Sequence, residues 1–524
     1  MDAQLERRLQ ALTAADHPRL LRGLRRGIEK ESLRITGDGL LAQTPHPPAL
    51  GSALTHPCIT TDYSEALLEF ITAPGEQLGG VLGELATIHR FVYQHIGAEL
   101  LWTSSMPCVL ETDHEIPVAQ YGSSNVARMK TTYRVGLGHR YGRLMQTIAG
   151  IHYNWSLDDA FWDWLRGLTG GGESLRDFKT AQYFALIRNF HRFSWLLAYL
   201  FGASPALCRT FVRGRDHGLQ PLGRGTLHAP HGTSLRMGDL GYQSNAQRQI
   251  DIPYNNLDDY LDALTRAISE PHPAYAAIGT RRDGEWLQLS TSLLQIENEF
   301  YATIRPKRVT HSGEAPRRAL RERGVEYIEV RCLDIDPLLP TGIEADTARF
   351  VDAFLLFCLL HASPPSDAAA RTRSRANLLL VVNRGREPGL RLARNGGRSI
   401  ELREWGLSIV GEIAKIGSLL DAASGGAEPA YARAVAAQQG KLEDAALTPS
   451  ARVLRELDAH GQSFFEFAMA QSRLHRAAFL AQPATAQDAA RFEQWARDSI
   501  AEQRAIEQTD TLLFEEYLAN YFRQ

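Results

Sequence analysis

Cysteine is scarce in this chain: Cys58, Cys108, Cys208, Cys332 and Cys358 are odd in number, widely separated and form no CxxC pair. That pattern excludes a disulfide framework and a zinc ribbon, and it fits a reducing cytoplasm. Long hydrophobic runs are missing as well. The most apolar stretch, Ala353 to Leu360 extended to Ala362, falls far short of the roughly 20 residues that cross a bilayer, so it reads as a buried helix. Positive charge is not in excess. The 57 Lys and Arg against 60 Asp and Glu leave a net charge of −3, so neither nucleic acid nor an anionic membrane is an expected partner. The first residues mix Arg7 and Arg8 with Asp2, Glu6 and Asp16 and hold no apolar signal-peptide core. GxxxxGK[ST] and HExxH are absent, and GLGHRYG at 136 does not meet GxGxxG. Any ATP bound here is held without a P-loop or a Rossmann turn.

What is present suits a packed soluble enzyme: 44% apolar and 22% charged residues in 524, enough for one main core with appended helices. Residues 1 to 26 read as a short helix or two, and GIEKESLRI then alternates as a strand does. Helical spacing marks Val81 to Ile96 and a long aromatic-rich segment, Phe178 to Phe201. Strand-like runs follow at GIHYNWS near 150, LQIENEFY near 294 and GVEYIEVRCLDI near 324. They are scattered without a βαβ rhythm, so the expected fold is α+β with an antiparallel sheet. Breaks fall at SPPSD (363 to 367), RNGGRS and SGGAEP (424 to 429), and from about Ala430 the chain turns Ala-, Gln- and Glu-rich and helical. The expected organisation is a catalytic body over 1–424, with N-terminal helices, and a helical accessory region over 425–524 packed on it.

Alternate side chains of a strand share a face, which puts Glu29 beside Glu31, His152 beside Asn154, and Glu329 beside Arg331. Glu297, Glu299 and Tyr301 would line up in the same way. The cluster TDYSEALLEF adds Asp62, Glu65 and Glu69, the last within an apolar run where an unpaired carboxylate is costly. Several carboxylates and one imidazole on separate strands match what hard divalent cations on ATP phosphates require. Arg134, Arg236, Arg331 and the RPKR run (Arg305, Lys307, Arg308) supply candidate anion contacts. Each feature has an ordinary alternative. A Glu pair on a strand can be a solvated or salt-bridged face, His152 a hydrogen-bonded core histidine, RPKR a solvated loop, and the Tyr153 and Trp155 face plain core.

The strings GIEKESLRI, PPALGSALTHPCITTDYSEALLEFIT, SMPC, YGSSNVARMKTTYRVGLGHRYG, MQTIAGIHYNWS, LFGASPALC, TSLRMGDLGYQSNAQ, LQIENEFYATIRPKRVTHSGE and YIEVRCLDIDP closely resemble the proteobacterial glutamate-cysteine ligase (type 1) family. They run in family order from about residue 20 to 420, and the last hundred residues match only loosely. The resemblance implies a curved antiparallel sheet forming a basin ringed by helices, a glutamine-synthetase-like catalytic fold with a helical C-terminal region. It also implies a reaction: ATP phosphorylates the γ-carboxylate of L-glutamate, and the amine of L-cysteine displaces phosphate. Carried onto matching positions, Glu29, Glu31, Asp62, Glu69, His152 and Glu329 are similar to ligands of two or three magnesium ions, with manganese as the alternative metal. Arg236, Gln146 and Asn154 resemble the glutamate subsite. Tyr63, Tyr133, Arg134, Leu137, Tyr242 and Tyr301 resemble the cysteine pocket, while Arg134 and Arg331 would flank the transferred phosphoryl group and Asp62 would act as base. ATP, L-glutamate and L-cysteine are the expected small-molecule partners, with glutathione feedback, a monomeric state and a cytoplasmic location as further expectations.

The chain departs from the family pattern upstream of Arg236, where LHAPHGTSLRMG places His228, His231 and Gly232 in the substrate loop. No cysteine lies between residues 370 and 396, so the disulfide switch of some relatives is not expected. Three rival readings stay open on the residues alone: a ligase with another acceptor amine, a metal-dependent hydrolase, and a non-catalytic binder.

Overall fold

The structure, a computed structural model, describes residues 2–524 apart from 15, 108, 109, 111, 242–249 and 427. Cys108 and Tyr242 therefore lie outside the described residues. Seven strands, β1 (Arg25–Ile35), β2 (Ile59–Thr61), β3 (Leu67–Ile71), β4 (Leu100–Leu101), β5 (Ile151–Ser156), β6 (Ile304–Lys307) and β7 (Tyr327–Leu333), build one open sheet. Its order is β6-β7-β5-β1-β3-β2, with β4 paired to the end of β1, and every pairing is antiparallel.

Register decides what the sheet can do, because residues opposite one another share a face. Glu31 stands opposite Glu69, Glu29 opposite His152, and Glu329 between Asn154 and Arg305. One face is thus polar across five strands. The other presents Ile28, Phe70, Tyr153, Trp155, Ile328 and Val330, all buried. Helices Leu175–Phe193 and Ala345–Leu360 pack against each other behind it, and the second is apolar nearly all round, as a fully enclosed helix must be. Asp352 is its exception. Fully buried, it accepts hydrogen bonds from Arg26 Nη2 (2.8 Å), Tyr153 OH (2.8 Å) and Tyr431 OH (3.0 Å). That carboxylate ties β1, β5 and the helix Ala430–Glu443 together.

The expected elements are found with informative shifts. The helix near Val81 spans Leu78–His95, and the long aromatic segment is carried by two abutting helices, Leu175–Phe193 and Trp195–Phe201, joined at Ser194, whose backbone stays helical. LQIENEFY is not a strand. Glu297–Glu299 forms a 3-10 turn in which Glu297 pairs with Arg317 (2.9 Å) and Glu299 with Arg140 (2.9 Å), so the alternating charges serve ion pairs to two helices rather than a sheet face. Helices fill most of the chain beyond Ala430, as expected. Among the described residues no helix is long and apolar enough to cross a membrane.

Two half-buried histidines outside the carboxylate cluster set an acid limit. Burial, aided by the charge of Arg34, pulls His46 down to about 4, and burial with Arg192 does the same to His191. Both are neutral in the fold and take up protons on unfolding below about pH 6.5. Their contribution to stability is therefore complete above pH 6.5 and is lost as pH falls toward 4. Thermal unfolding followed by circular dichroism is expected to show Tm dropping by several degrees over that window, and His46→Gln to flatten part of the drop.

Candidate functional site

The polar face gathers its titratable groups around His152. Its Nδ1 lies 3.1 Å from Glu29 Oε2 and 3.8 Å from Glu329 Oε1, and its Nε2 lies 3.7 Å from Glu31 Oε1. Two sets, Glu29–His152–Glu329 and Glu31–Glu69–His152, each offer ligand atoms all within 4.8 Å of one another. Asn154 Nδ2 donates to Glu29 Oε1 (2.8 Å), and the Gly150 amide donates to Glu31 Oε2 (2.6 Å). Basic side chains close one end: Arg331 Nη1 is 3.1 Å and Lys307 Nζ 3.6 Å from Glu329 Oε1.

Electrostatics divide the carboxylates. Burial raises Glu69 well above the usual carboxylate range, and the neighbouring charges of Glu29, Asp62 and Glu31 push the same way. Burial also raises Glu31. For Glu329 burial is outweighed by Lys307 and then Arg331, which hold it well below the usual range, and the hydrogen bond with His152 brings Glu29 down despite its burial. So, among the described residues, Glu69 near β3 makes no ion pair, whereas Glu329 at the end near β6 pairs with Arg331 and Lys307. His152 Nε2 and Glu329 Oε2 are buried and make no hydrogen bond among the described residues. Unpaired buried acceptors in a carboxylate-rich pocket are the donor set that a hard divalent ion takes, so these residues fit one.

Arg236 is 1% exposed and is fastened from below: Nη2 donates to the Arg331 carbonyl (2.9 Å), and Nη1 lies 3.8 Å from Asp334 Oδ1. Asp334 is itself held by Ser204 Oγ (2.6 Å), Ser234 Oγ (2.9 Å) and the Ala203 amide (2.9 Å). The guanidinium lies so close over Gly150 that a Cβ there would sit 1.9 Å from Nη2, so any side chain at 150 would displace Arg236. Arg236, Arg331 and Tyr301 line a cavity of about 430 Å³ that runs on past Tyr254 to the helix Ala368–Arg384.

The remaining expected residues converge from a second direction. Helix Asn125–Tyr141 brings Tyr133, Arg134 and Leu137; the Arg134 guanidinium stacks over Tyr121 at 4.6 Å and its Nε donates to the Asp62 carbonyl. Gln146 Nε2 donates to Tyr301 OH (3.0 Å). Tyr63 is buried, and its hydroxyl makes no hydrogen bond among the described residues. In the departing loop His228 Nδ1 donates to the Gln220 carbonyl (3.0 Å) while His231 is exposed, and the loop is held by Arg386 through the Pro230 and Gly232 carbonyls.

The RPKR run, a candidate anion contact with a solvated loop as its alternative, is decided by its strand, and two further parts of the site escape a reading of the residues. RPKR is no solvated loop: Arg305 and Lys307 lie on β6, and strand alternation turns both to the polar face. The Asp334 support of Arg236 and the bare α-carbon of Gly150 were not singled out. Their signal, LDIDP closing a strand and a glycine opening one, is present but points nowhere until the strands are paired.

Comparison with known proteins identifies the family. The family description "Glutamate-cysteine ligase" matches residues 9–381, well over half of the chain. The glutamate–cysteine ligase of Pseudomonas putida (strain W619) is 53% identical over 521 residues, covering 99% of this chain and 98% of that protein. That of Alcanivorax borkumensis is 53% identical over 523 residues, 99% of each. A crystal structure of the Francisella tularensis glutamate–cysteine ligase in complex with AMP superposes with a TM-score of 0.90 at 36% identity, over 96% of this chain and 98% of that one. The likeness thus extends through the helical last hundred residues, which short strings alone matched only loosely.

Proposed function

The chain belongs to the glutamate-cysteine ligase family, and from that premise we propose how its residues join the amine of L-cysteine to the γ-carboxylate of L-glutamate. It is an ATP-dependent ligase that forms γ-glutamylcysteine, the first step of glutathione biosynthesis, with ATP as co-substrate. The observation that carries the residue assignment is the convergence of Glu29, Glu31, Glu69, His152 and Glu329 on one face, with Arg236 fixed beside them.

The chemical difficulty is twofold: a carboxylate is a poor electrophile and an ammonium is no nucleophile. Arg236, immobilised by Asp334, takes the α-carboxylate of glutamate, with Gln146 and Asn154 lining the same subsite. That fixes the γ-carboxylate toward the polar face, where attack on the γ-phosphorus of ATP gives γ-glutamyl phosphate and ADP. Arg134 and Arg331 flank the transferred group and stabilise charge on its oxygens, a role that preorganised cations perform well out of water. Glu29, Glu31, Asp62, Glu69, His152 and Glu329 would hold two or three magnesium ions, or manganese, which screen the triphosphate and make its phosphorus more electrophilic. Cysteine sits among Tyr63, Tyr133, Arg134, Leu137 and Tyr301, with Tyr242 assigned to the same pocket by family resemblance alone. Asp62, beside Glu31 and Glu69, takes the proton from its amine before that amine displaces phosphate.

The same reading extends to organisation: residues 1–424 form the catalytic body and 425–524 an accessory helical region on it, in a monomeric cytoplasmic enzyme subject to feedback by glutathione. One core cluster running from Leu5 to Phe492 supports a single body.

ADP release with ATP and magnesium, measured with glutamate and cysteine together and with each alone, tests the reaction. Strong dependence on both, with a γ-linked dipeptide seen by mass, is expected; no turnover of ATP would sink it. Asp62→Asn separates the half-reactions. ADP release with glutamate should persist while dipeptide is lost; loss of both would leave Asp62 a metal ligand only.

A further inference from the structure

A helix begins with amide N–H groups that its own turns cannot satisfy, and a carboxylate near that end suits both those donors and the helix dipole. Helix Asn125–Tyr141 receives one from the far end of the sequence. Asp510 accepts the Asn125 amide at Oδ2 and the Asn125 side-chain amide at Oδ1 (2.6 Å); that same side chain donates to the Leu512 carbonyl (2.8 Å). The helix's own cap, Ser124 Oγ, reaches the Ala127 amide only at 3.4 Å. One turn further, the Arg128 guanidinium lies 4.4 Å over the Phe514 ring.

From this we propose that the C-terminal segment positions the acceptor pocket: Asp510 and Phe514 set the first turns of helix Asn125–Tyr141, and through them Tyr133 and Leu137, for cysteine, while Arg134 is tied separately to the Asp62 carbonyl and the Tyr121 ring. The proposal rests on the cysteine-pocket reading above. Helix Phe514–Phe522 buries Phe514, Leu518 and Tyr521 against Met129, Ile296 and the half-buried Tyr133, in an apolar cluster of its own apart from the main core. Arg317 Nη2 donates to the Phe522 carbonyl (3.0 Å), while Gln524 accepts from the Ala315 amide (2.9 Å) and donates to the Gly313 carbonyl (3.0 Å). This second helix is thereby anchored to residues 313–317 as well as to helix Asn125–Tyr141.

The positioned helix has a narrow apolar face, and its last turn is held by Arg140 against Glu299 (2.9 Å). Its buried residues are Asn125, Ala127, Met129, Thr132, Gly136 and Leu137, with only two large apolar side chains among them. A helix without a broad apolar stripe takes its seat from contacts at its ends and flanks. Here Gln295 Nε2 fixes the Tyr133 carbonyl (3.1 Å) on one flank, and the C-terminal contacts fix the first turn. By contrast Glu29, Glu31, His152 and Glu329 are placed by strand pairing, which the segment from Asp510 onward does not enter. Loosening the segment should therefore weaken cysteine use and spare the glutamate half-reaction. Asp510 and Phe514 are positioning residues, since neither is placed against substrate.

The test uses the full chain with ATP and magnesium. Asp510→Ala and Phe514→Leu are each expected to raise KM for cysteine roughly three- to tenfold, the effect of losing a helix cap or its flank. KM for glutamate and for ATP, and ADP release with glutamate alone, should stay within about twofold of the parent chain. Asp510→Asn, which retains an acceptor for the Asn125 amide, should recover part of the loss. Hydrogen exchange at Asn125 to Met129 should quicken in Asp510→Ala. Unchanged cysteine KM despite faster exchange, or all three KM values rising together, would overturn the proposal. Tyr133→Ala run alongside keeps the two readings apart: no effect of that change on cysteine KM would remove the pocket assignment itself.

Discussion

Glutamine in place of Glu329 is expected to lower ADP release at least about a hundredfold, and added magnesium or manganese should restore part of the loss. The side chain keeps its volume and one acceptor oxygen, so the change isolates charge. In the parent chain that charge is kept by Lys307 and Arg331, which outweigh burial and hold the carboxyl ionised. Its Oε2 lacks a hydrogen bond among the described residues while Oε1 faces Arg331, Lys307 and His152. A glutamine amide would offer donors where an ion needs acceptors, and it would leave two cations with no anion between them. A titration of the rate against metal concentration reads the difference. If Glu329 holds metal, the variant's curve shifts to higher concentration; if it only orients Arg331, the maximum falls and the curve does not move. A rate near that of the parent chain at low metal would remove Glu329 from the site.

The period of two in each strand made some of this legible beforehand. Glu29 beside Glu31, His152 beside Asn154 and Glu329 beside Arg331 follow from alternation within one segment. That Glu29 meets His152 and Glu31 meets Glu69 depends on strands far apart in sequence, and nothing local states the pairing. The family resemblance supplied the set of residues and not their pairing. Alternation also misled, because Glu297 and Glu299 show the same spacing in a turn where each serves an arginine from another element. Lys307 reads as a candidate anion contact with a solvated loop as the alternative, and the strand decides between them: Pro306 is buried and turns its neighbours to the polar face. The helices after Ala430 were legible as helices. Their targets were not, since Asp510 reaching Asn125 is a contact between two polar residues with no periodic signature.

Asp352→Ala is expected to cost about 3–5 kcal/mol of unfolding free energy, the range for leaving one member of a buried ion pair alone. Asp352 is fully buried, Arg26 is 3% exposed, and the carboxylate is the shared acceptor for Arg26, Tyr153 and Tyr431. Its charge, with the two tyrosines, outweighs burial in holding Arg26 protonated. Alanine would strand that guanidinium and two hydroxyls behind the sheet. Tyr431→Phe removes one of the three bonds and should cost only about 1 kcal/mol, and Arg26→Met with Asp352→Leu should regain most of the loss because both charges then leave the interior together. Urea unfolding midpoints at constant slope would measure all three. A loss below about 1 kcal/mol in Asp352→Ala would mean that water reaches Arg26, and the pair would then matter little. The consequence for the reaction follows from position: Arg26 lies three residues before Glu29 on β1, and Tyr153 adjoins His152 on β5. The carboxylate behind the sheet therefore holds the register that brings Glu29 and His152 within 3.1 Å in front of it. At temperatures where Asp352→Ala is still folded, its rate should fall further than that of Tyr431→Phe, which leaves both strands tied.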